Sequence, residues 1–350
     1  MPHSAAFASD GRVTVFAPRI ESLLRERLGT GLFRLDTDTI GVSDSGLIDA
    51  LLGARPASKF ERPIFKPLLG HTITRPESSA VMRAVSRDVN QAFLKFTGGD
   101  VDLTGKWPHV AHNYLRDLVF GSDPYRLRVM VDRRLEITPK LTWSAMTAGS
   151  VLPARRRPEK GSTNLGAMLY EAGTYRERRH AMGLYRRAAA AVCFTVSALA
   201  TGAMWLGAPF DSEVSNRHII HETLRLLPIS WNLLRMASPE FHALDNRIGA
   251  SDDVLVLPLL THRDPNLWDA PHDFRPDRWN SIDPDNHPGY LPFGHVNERC
   301  WGRHMVIPLA ERLLGIARRN RLTVDPAQRS AYVPLRGLLS VNDVRVVQAQ

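Results

Sequence analysis

The chain has 350 residues and a formal net charge of +9, with 43% hydrophobic and 23% charged residues. That composition excludes a disordered or collagen-like chain, and the length admits either two domains or one large fold. The two cysteines, Cys193 and Cys300, exclude a metal site built from cysteines alone and suit a reducing cytoplasm.

Periodicity and punctuation predict the elements in chain order. Residues 18–27 read as a short helix, and Leu32 to Val42 alternates like a strand pair. Helical spacing follows over Ser78 to Phe96, Trp107 to Val119 and Arg126 to Leu135. Val151 to Ser162 is a basic, Pro- and Gly-containing loop. Glu177 to Leu206 forms one long helix, and Asn216 to Leu227 a shorter one before alternating short strands. Asp264 to Pro288 is irregular, a last helix runs from Cys300 to near Asn320, and 331–348 reads as a hairpin. No repeat and no long linker interrupts this order, so residues 1–350 are expected to form a single domain. It is expected to be mainly α with small β-sheets (α+β).

Two broad partner classes recede on the same grounds. Lysine occurs only at Lys59, Lys66, Lys95, Lys106, Lys140 and Lys160, and the arginines that carry the rest of the charge are scattered. A nucleic-acid face would cluster them; a docking face for an acidic protein remains open. Met1 to Asp10 has no basic region leading into an apolar one. The apolar run Ala188 to Leu206 is broken by Thr195, Ser197, Thr201 and Gly202, and reads as a buried core helix instead of a membrane span. A soluble, cytoplasmic protein is the expectation.

Four patterns in the second half carry chemistry. Glu222-Thr223-Leu224-Arg225 places a carboxylate and a guanidinium on one helix face. His262-Arg263-Asp264-Pro265 and then Phe274-Arg275-Pro276-Asp277-Arg278-Trp279 follow. Phe293-Gly294-His295-Val296-Asn297-Glu298-Arg299-Cys300-Trp301-Gly302 comes next, and an amphipathic helix closes the series. A thiolate at a loop leading into a helix N-terminus is stabilised by free N–H groups and the helix dipole. Gly294 and Gly302 let the backbone approach a flat ligand without an intervening side chain.

This order, ExxR, then a PxRF-like element, then a cysteine loop opening a helix, resembles the cytochrome P450 family. The resemblance is strong over 187–350, moderate over 20–135 and weak between 136 and 175. It implies a heme-thiolate enzyme binding heme b (iron protoporphyrin IX), with Cys300 as the axial ligand and Phe293, Gly294, Arg299 and Gly302 around it. It also implies a buried charge triad of Glu222, Arg225 and Arg278 that fixes the cysteine loop, and propionate partners His71, Arg75 and Arg235. Pocket candidates are Ala190, Ala191, Phe194 and Thr195 on the central helix, Ser230, Trp231, Asn232 and Leu233 after the ExxR helix, and Leu338 in the tail. Cys193 is expected in the core.

Four departures from the family pattern stand out. Val296 replaces a usual glycine, and Glu298 replaces a usual cation, which leaves His295 or Arg299 to supply the missing propionate donor. The proton-relay acid falls at Phe194, beside Thr195, and Thr195 lies only 27 residues before Glu222. Phenylalanine cannot relay a proton. Finally, the chain is shorter than usual between the fourth and central helices, which predicts a shortened lid over 136–175 and an open pocket suited to a large or carrier-tethered substrate.

The resemblance then implies a monooxygenase or oxidase tailoring a hydrophobic natural product, with O2 and electrons from an acidic ferredoxin and its reductase. Arg299, Arg303 and His304 would form the docking surface or simply be solvated. Peroxide use, oxygen-independent rearrangement, dehydration or cyclisation, and a non-catalytic heme-binding relative are the alternatives. No nucleic acid and no membrane are expected as partners.

Overall fold

A computed structural model describes residues 8, 10–53, 83–87, 89–91, 94, 101–120, 174–295, 299–300, 302–335 and 338–349. The expected helix over 126–135, the basic loop 151–162, residues 136–173 of the expected lid, His71, Arg75, Val296, Glu298 and Trp301 lie outside the described residues.

The elements in chain order are β1 (Val13–Phe16), α1 (Pro18–Glu26), β2 (Leu32–Asp36), β3 (Thr39–Val42), α2 (Ser45–Gly53), β4 (Gly105–Trp107) and α3 (His109–Phe120). After them come α4 (Tyr175–Gly207), α5 (Asn216–Leu226), β5 (Leu233–Arg235), α6 (Pro239–Leu244), β6 (Asp253–Val256), α7 (Pro258–Thr261), α8 (Arg303–Arg319), β7 (Leu322–Val324), β8 (Ser330–Val333) and β9 (Val344–Gln348). Local chemistry explains several boundaries. Pro18 opens α1, where a missing N–H costs nothing. Thr174 and Glu177 cap α4 reciprocally, and the Ser215 hydroxyl accepts the His218 N–H to start α5.

Among the described residues, three small sheets flank the helices. β2 and β3 form the expected antiparallel pair, and β6 lies parallel to β3 with β5 antiparallel on its far side. The tail differs from the expected hairpin. β8 pairs in parallel with β1, whereas β9 lies antiparallel between β4 and β7, and among the described residues a Tyr332–Asn342 bridge is the one ladder contact between the two tail segments. Each strand buries its apolar face in a different sheet, Ala331 and Val333 in one and Val344 and Val346 in the other. That burial outweighs local pairing.

The core is organised on α4, which packs against α3, α5 and α8. Its segment 188–207 is long and apolar enough to cross a membrane, but 83% of that window is buried within the fold. Two of its buried hydroxyls are satisfied within the helix: Ser197 donates to the Phe194 carbonyl and Thr201 to the Ser197 carbonyl. At Gly202 the helices approach closely, since a Cβ there would lie 3.0 Å from Thr223 Cγ2 and 3.4 Å from Leu227 Cδ1. Gly202→Val is therefore expected to destabilise the fold by about 1–3 kcal/mol through overpacking, read as a lowered urea midpoint.

Candidate functional site

Residues Ile219–Leu226 of α5 are all buried, Glu222 and Arg225 completely. The Glu222 carboxylate accepts Arg225 Nη2 at 2.7 Å and Nε at 3.0 Å, Arg278 Nε at 3.2 Å, the Arg275 backbone N–H at 2.9 Å and Trp279 Nε1 at 2.9 Å. Arg225 spends its remaining donors on the carbonyls of His262, Pro271 and Asp273, and its guanidinium lies over the Trp268 ring. Arg278 reaches the carbonyls of Asp269 and Ala270. Burial lowers the Arg278 pKa, with the Glu222 charge opposing that shift. Glu222, Arg225 and Arg278 thus meet, as expected, and bind the irregular segment 264–288 to α5.

Two histidines and a tyrosine extend this cluster toward the cysteine loop. Fully buried His262 accepts the Leu291 N–H on Nε2 at 2.7 Å, so its Nδ1 carries the proton and donates to the Arg225 carbonyl at 3.2 Å. Tyr290 donates to the His221 carbonyl at 3.1 Å and accepts from His221 Nδ1 at 2.9 Å. Burial pushes His262 down to about 3 and His221 down to about 4, with neighbouring arginines adding to both. Arg263 is also fully buried and falls to about 9 through desolvation; it donates to the carbonyl of Leu226 at the C-terminal end of α5 and to that of Leu259 within α7.

From Leu291 the chain turns. Gly294 donates to the Leu291 carbonyl and has φ +86°, a left-handed conformation that suits glycine. The Cys300 N–H closes the loop on the Phe293 carbonyl at 2.8 Å. The last helix begins at Arg303, with Gly302 as its cap residue, and not at Cys300 as the periodicity suggested. The N–H groups of Gly302 and Arg303 lie at the Cys300 sulfur, and the Arg303 N–H is also 3.3 Å from the Cys300 carbonyl. Cys300 is exposed to solvent, yet protein atoms crowd its sulfur enough for burial to raise the thiol pKa while those two N–H groups hold it down. Cys193 contrasts with it, fully enclosed in the core and pushed up to about 12 by burial.

The remaining predicted residues fall into place unevenly. Along 188–207 of α4 only Ala191, Phe194 and Thr195 are half-buried, at i, i+3 and i+4, so one helix face stays open; Ala190 is buried. Ser230, Asn232 and Leu233 are half-buried and Trp231 buried. The Leu339 N–H bonds to the Ile229 carbonyl, which brings half-buried Leu338 to this segment. Arg235 is half-buried on β5, paired in register with Val254. Both candidates for the missing propionate donor hold carboxylates instead: His295 Nε2 lies 2.7 Å from Asp49 Oδ1, and Arg299 binds the side chain and the carbonyl of Asp285. Sequence reasoning missed Asp49, Asp285 and Tyr290. These contacts span 14 to 246 residues, and local patterning carries no trace of them.

This arrangement matches known proteins in two ways. The family described as Cytochrome P450 matches residues 217–310, from the start of α5 through the cysteine loop into α8. Over this segment the chain is similar to the cytochrome P450 family. Among its relatives, cyclooctatin synthase of Streptomyces melanosporofaciens is 33% identical over 103 residues, 29% of this chain and 22% of that protein. Cytochrome P450 3A28 of Bos taurus is 35% identical over 91 residues, 25% of this chain and 18% of its own length. The matched segment thus spans about a fifth of these relatives. Over the whole fold, the hydroxylase HmtN superposes with a TM-score of 0.61 at 14% identity, covering 95% of this chain and 97% of that one. A mutant of P450 EryK in complex with erythromycin B gives a TM-score of 0.57 at 15% identity, covering 95% of each.

The likeness to cytochrome P450 implies a heme b cofactor, and the residues around Cys300 fit it. One thiol stands on an exposed loop with backbone N–H groups at its sulfur. A Cβ on Gly302 would meet little besides that sulfur, at 3.6 Å. The helix that follows the loop packs on α4, whose open face carries small and apolar side chains.

Two outcomes test the site. Glu222→Ala strands two buried guanidinium groups and is expected to cost about 3–5 kcal/mol, measured by urea unfolding. The unfolded chain protonates His221 and His262 below about pH 6.5, whereas the fold resists until about pH 4 and about pH 3. Stability is therefore full above about pH 6.5 and declines as the pH falls, by about 1–2 kcal/mol per histidine at about pH 5. Urea midpoints at neutral pH and at about pH 5 measure that loss.

Proposed function

We propose that the chain is a heme-thiolate monooxygenase or oxidase that tailors a hydrophobic natural product, free or carrier-tethered. The observation that carries this reading is the Cys300 loop, with two N–H groups at its sulfur and a buried charge cluster behind it. Bound heme would supply the iron chemistry that inserts one oxygen atom of O2 into a C–H bond, the other leaving as water. Cys300 would ligate the iron, while Phe293, Gly294 and Gly302 shape the loop beneath the ring. Arg235, with His71 and Arg75, would meet the propionates. Ala191, Phe194 and Thr195 would line the substrate side together with Ser230, Asn232, Leu233 and Leu338; the buried Ala190 and Trp231 would back that wall. The names cyclooctatin synthase, HmtN, a post-tailoring hydroxylase in himastatin biosynthesis, and EryK support a secondary-metabolite substrate. Electrons would come from a separate acidic ferredoxin and its reductase in the cytoplasm.

A second reading, peroxide use or an oxygen-independent reaction at the same heme, rests on Phe194. At the relay position it puts a half-buried aromatic ring where an acid would carry protons, next to Thr195. Peroxide brings its own protons and electrons and needs no relay.

The CO complex of the reduced, heme-loaded protein is expected to show a thiolate-type Soret band that Cys300→Ser abolishes; a band surviving the substitution overturns the ligand assignment. Turnover with a ferredoxin system is expected, and turnover with peroxide alone selects the second reading. Under the first reading, Phe194→Asp raises ferredoxin-driven turnover at least severalfold.

A further inference from the structure

We propose that His262 is the positioning residue of the cysteine loop, acting through a single bond from its Nε2 to the Leu291 N–H. The inference rests on the reading of Cys300 as a heme ligand and adds a residue and an atom to it. His262 is fully buried and joins two segments that nothing local connects. Its Nδ1–H donates to the Arg225 carbonyl and its own carbonyl accepts Arg225 Nη1 at 2.9 Å, so it is clasped to the ExxR helix twice. On its other side, Nε2 accepts the Leu291 N–H at 2.7 Å. Leu291 is the first residue of the turn that Gly294 closes, and Phe293 within that turn takes the Cys300 N–H. The position of the sulfur therefore runs from Glu222 through Arg225 and His262 to Leu291, Phe293 and Cys300. The Tyr290 ring packs on the imidazole at 5.3 Å and limits its rotation. Removing the Nε2 acceptor leaves a buried N–H without a partner and releases the first residue of the turn while the charge cluster stays intact.

The two ring nitrogens can be separated by substitution. A glutamine places its amide oxygen near the Nε2 position, and an asparagine reaches only the Nδ1 position. In heme-loaded protein, His262→Gln is expected to keep the thiolate-type CO spectrum and heme affinity within about twofold of the parent. His262→Asn and His262→Leu are expected to lose about tenfold in heme affinity and to shift the spectrum toward a neutral-thiol type. Equal behaviour of the Gln and Asn variants, or a Leu variant with the parent's affinity and spectrum, overturns the proposal. Absence of the thiolate band in the parent itself overturns the heme-thiolate reading instead, and this proposal with it. A measurement on the unaltered protein guards against variants that fail to fold. The imidazole ¹⁵N resonances of His262 are expected to show a protonated Nδ1 and a bare Nε2; a protonated Nε2 overturns the assignment.

Discussion

Five N–H groups converge on the Glu222 carboxylate, and the placement of everything downstream depends on that convergence. A buried carboxylate is costly unless its charge is paired and its lone pairs filled. Here both oxygens are occupied by donors from α5 itself, from the backbone at Arg275, and from Arg278 and Trp279. The arginines in turn consume the carbonyls of an irregular segment that has no ladder of its own to satisfy them. The cluster thus does the work that secondary structure does elsewhere. It gives segment 264–288 fixed partners, so the chain emerges at Tyr290 with a defined direction. An apolar replacement of equal volume would remove the charge cost but leave those carbonyls unpaired, so the cluster holds only as a complete set.

The long helix α4 imposes the complementary constraint. Almost every side chain over 188–207 is buried; the Ser197 and Thr201 hydroxyls bond to carbonyls one turn back, and Trp205 Nε1 donates to the Thr14 hydroxyl of β1, so these polar groups are satisfied inside the core. Only one face, at Ala191, Phe194 and Thr195, escapes full burial. Gly202 draws α5 close below that face, and α8 packs alongside. The same packing that holds the helix rigid therefore fixes both the open face and the helix that the cysteine loop precedes. A site assembled this way is held by the core instead of by its own loops.

Much of this was legible in the sequence because it depends on spacing within one element. Glu222 and Arg225 share a helix face at any register, and the buried part of α4 follows from its apolar run. The cysteine loop is recognisable because glycines bracket it. What escaped depends on distant partners. His262 reads as part of a four-residue motif, but its ring partner lies 29 residues on. Asp49 and Asp285 look like ordinary surface acids until folding brings them to His295 and Arg299. The tail failed for a different reason: two alternating segments predict a hairpin locally, and only the presence of β1, β4 and β7 elsewhere in the chain separates them.

The net charge of +9 meets a local limit at this site. Arg299 and Arg303 flank Cys300, but Asp285 lies between them, bonded to the first and 3.9 Å from the second. Glu311, raised by its own burial, lines the same small cavity as Arg217, Arg303 and His304. Exposed pairs of this kind contribute little energy and are screened by salt, yet they cancel field at short range. Among the described residues, the arginines beside Cys300 are therefore balanced by nearby carboxylates. A donor protein meeting this face would find alternating charges around the cysteine loop, so recognition there would rest on the placement of individual ion pairs, with the general basicity of the chain acting only on the rate of encounter.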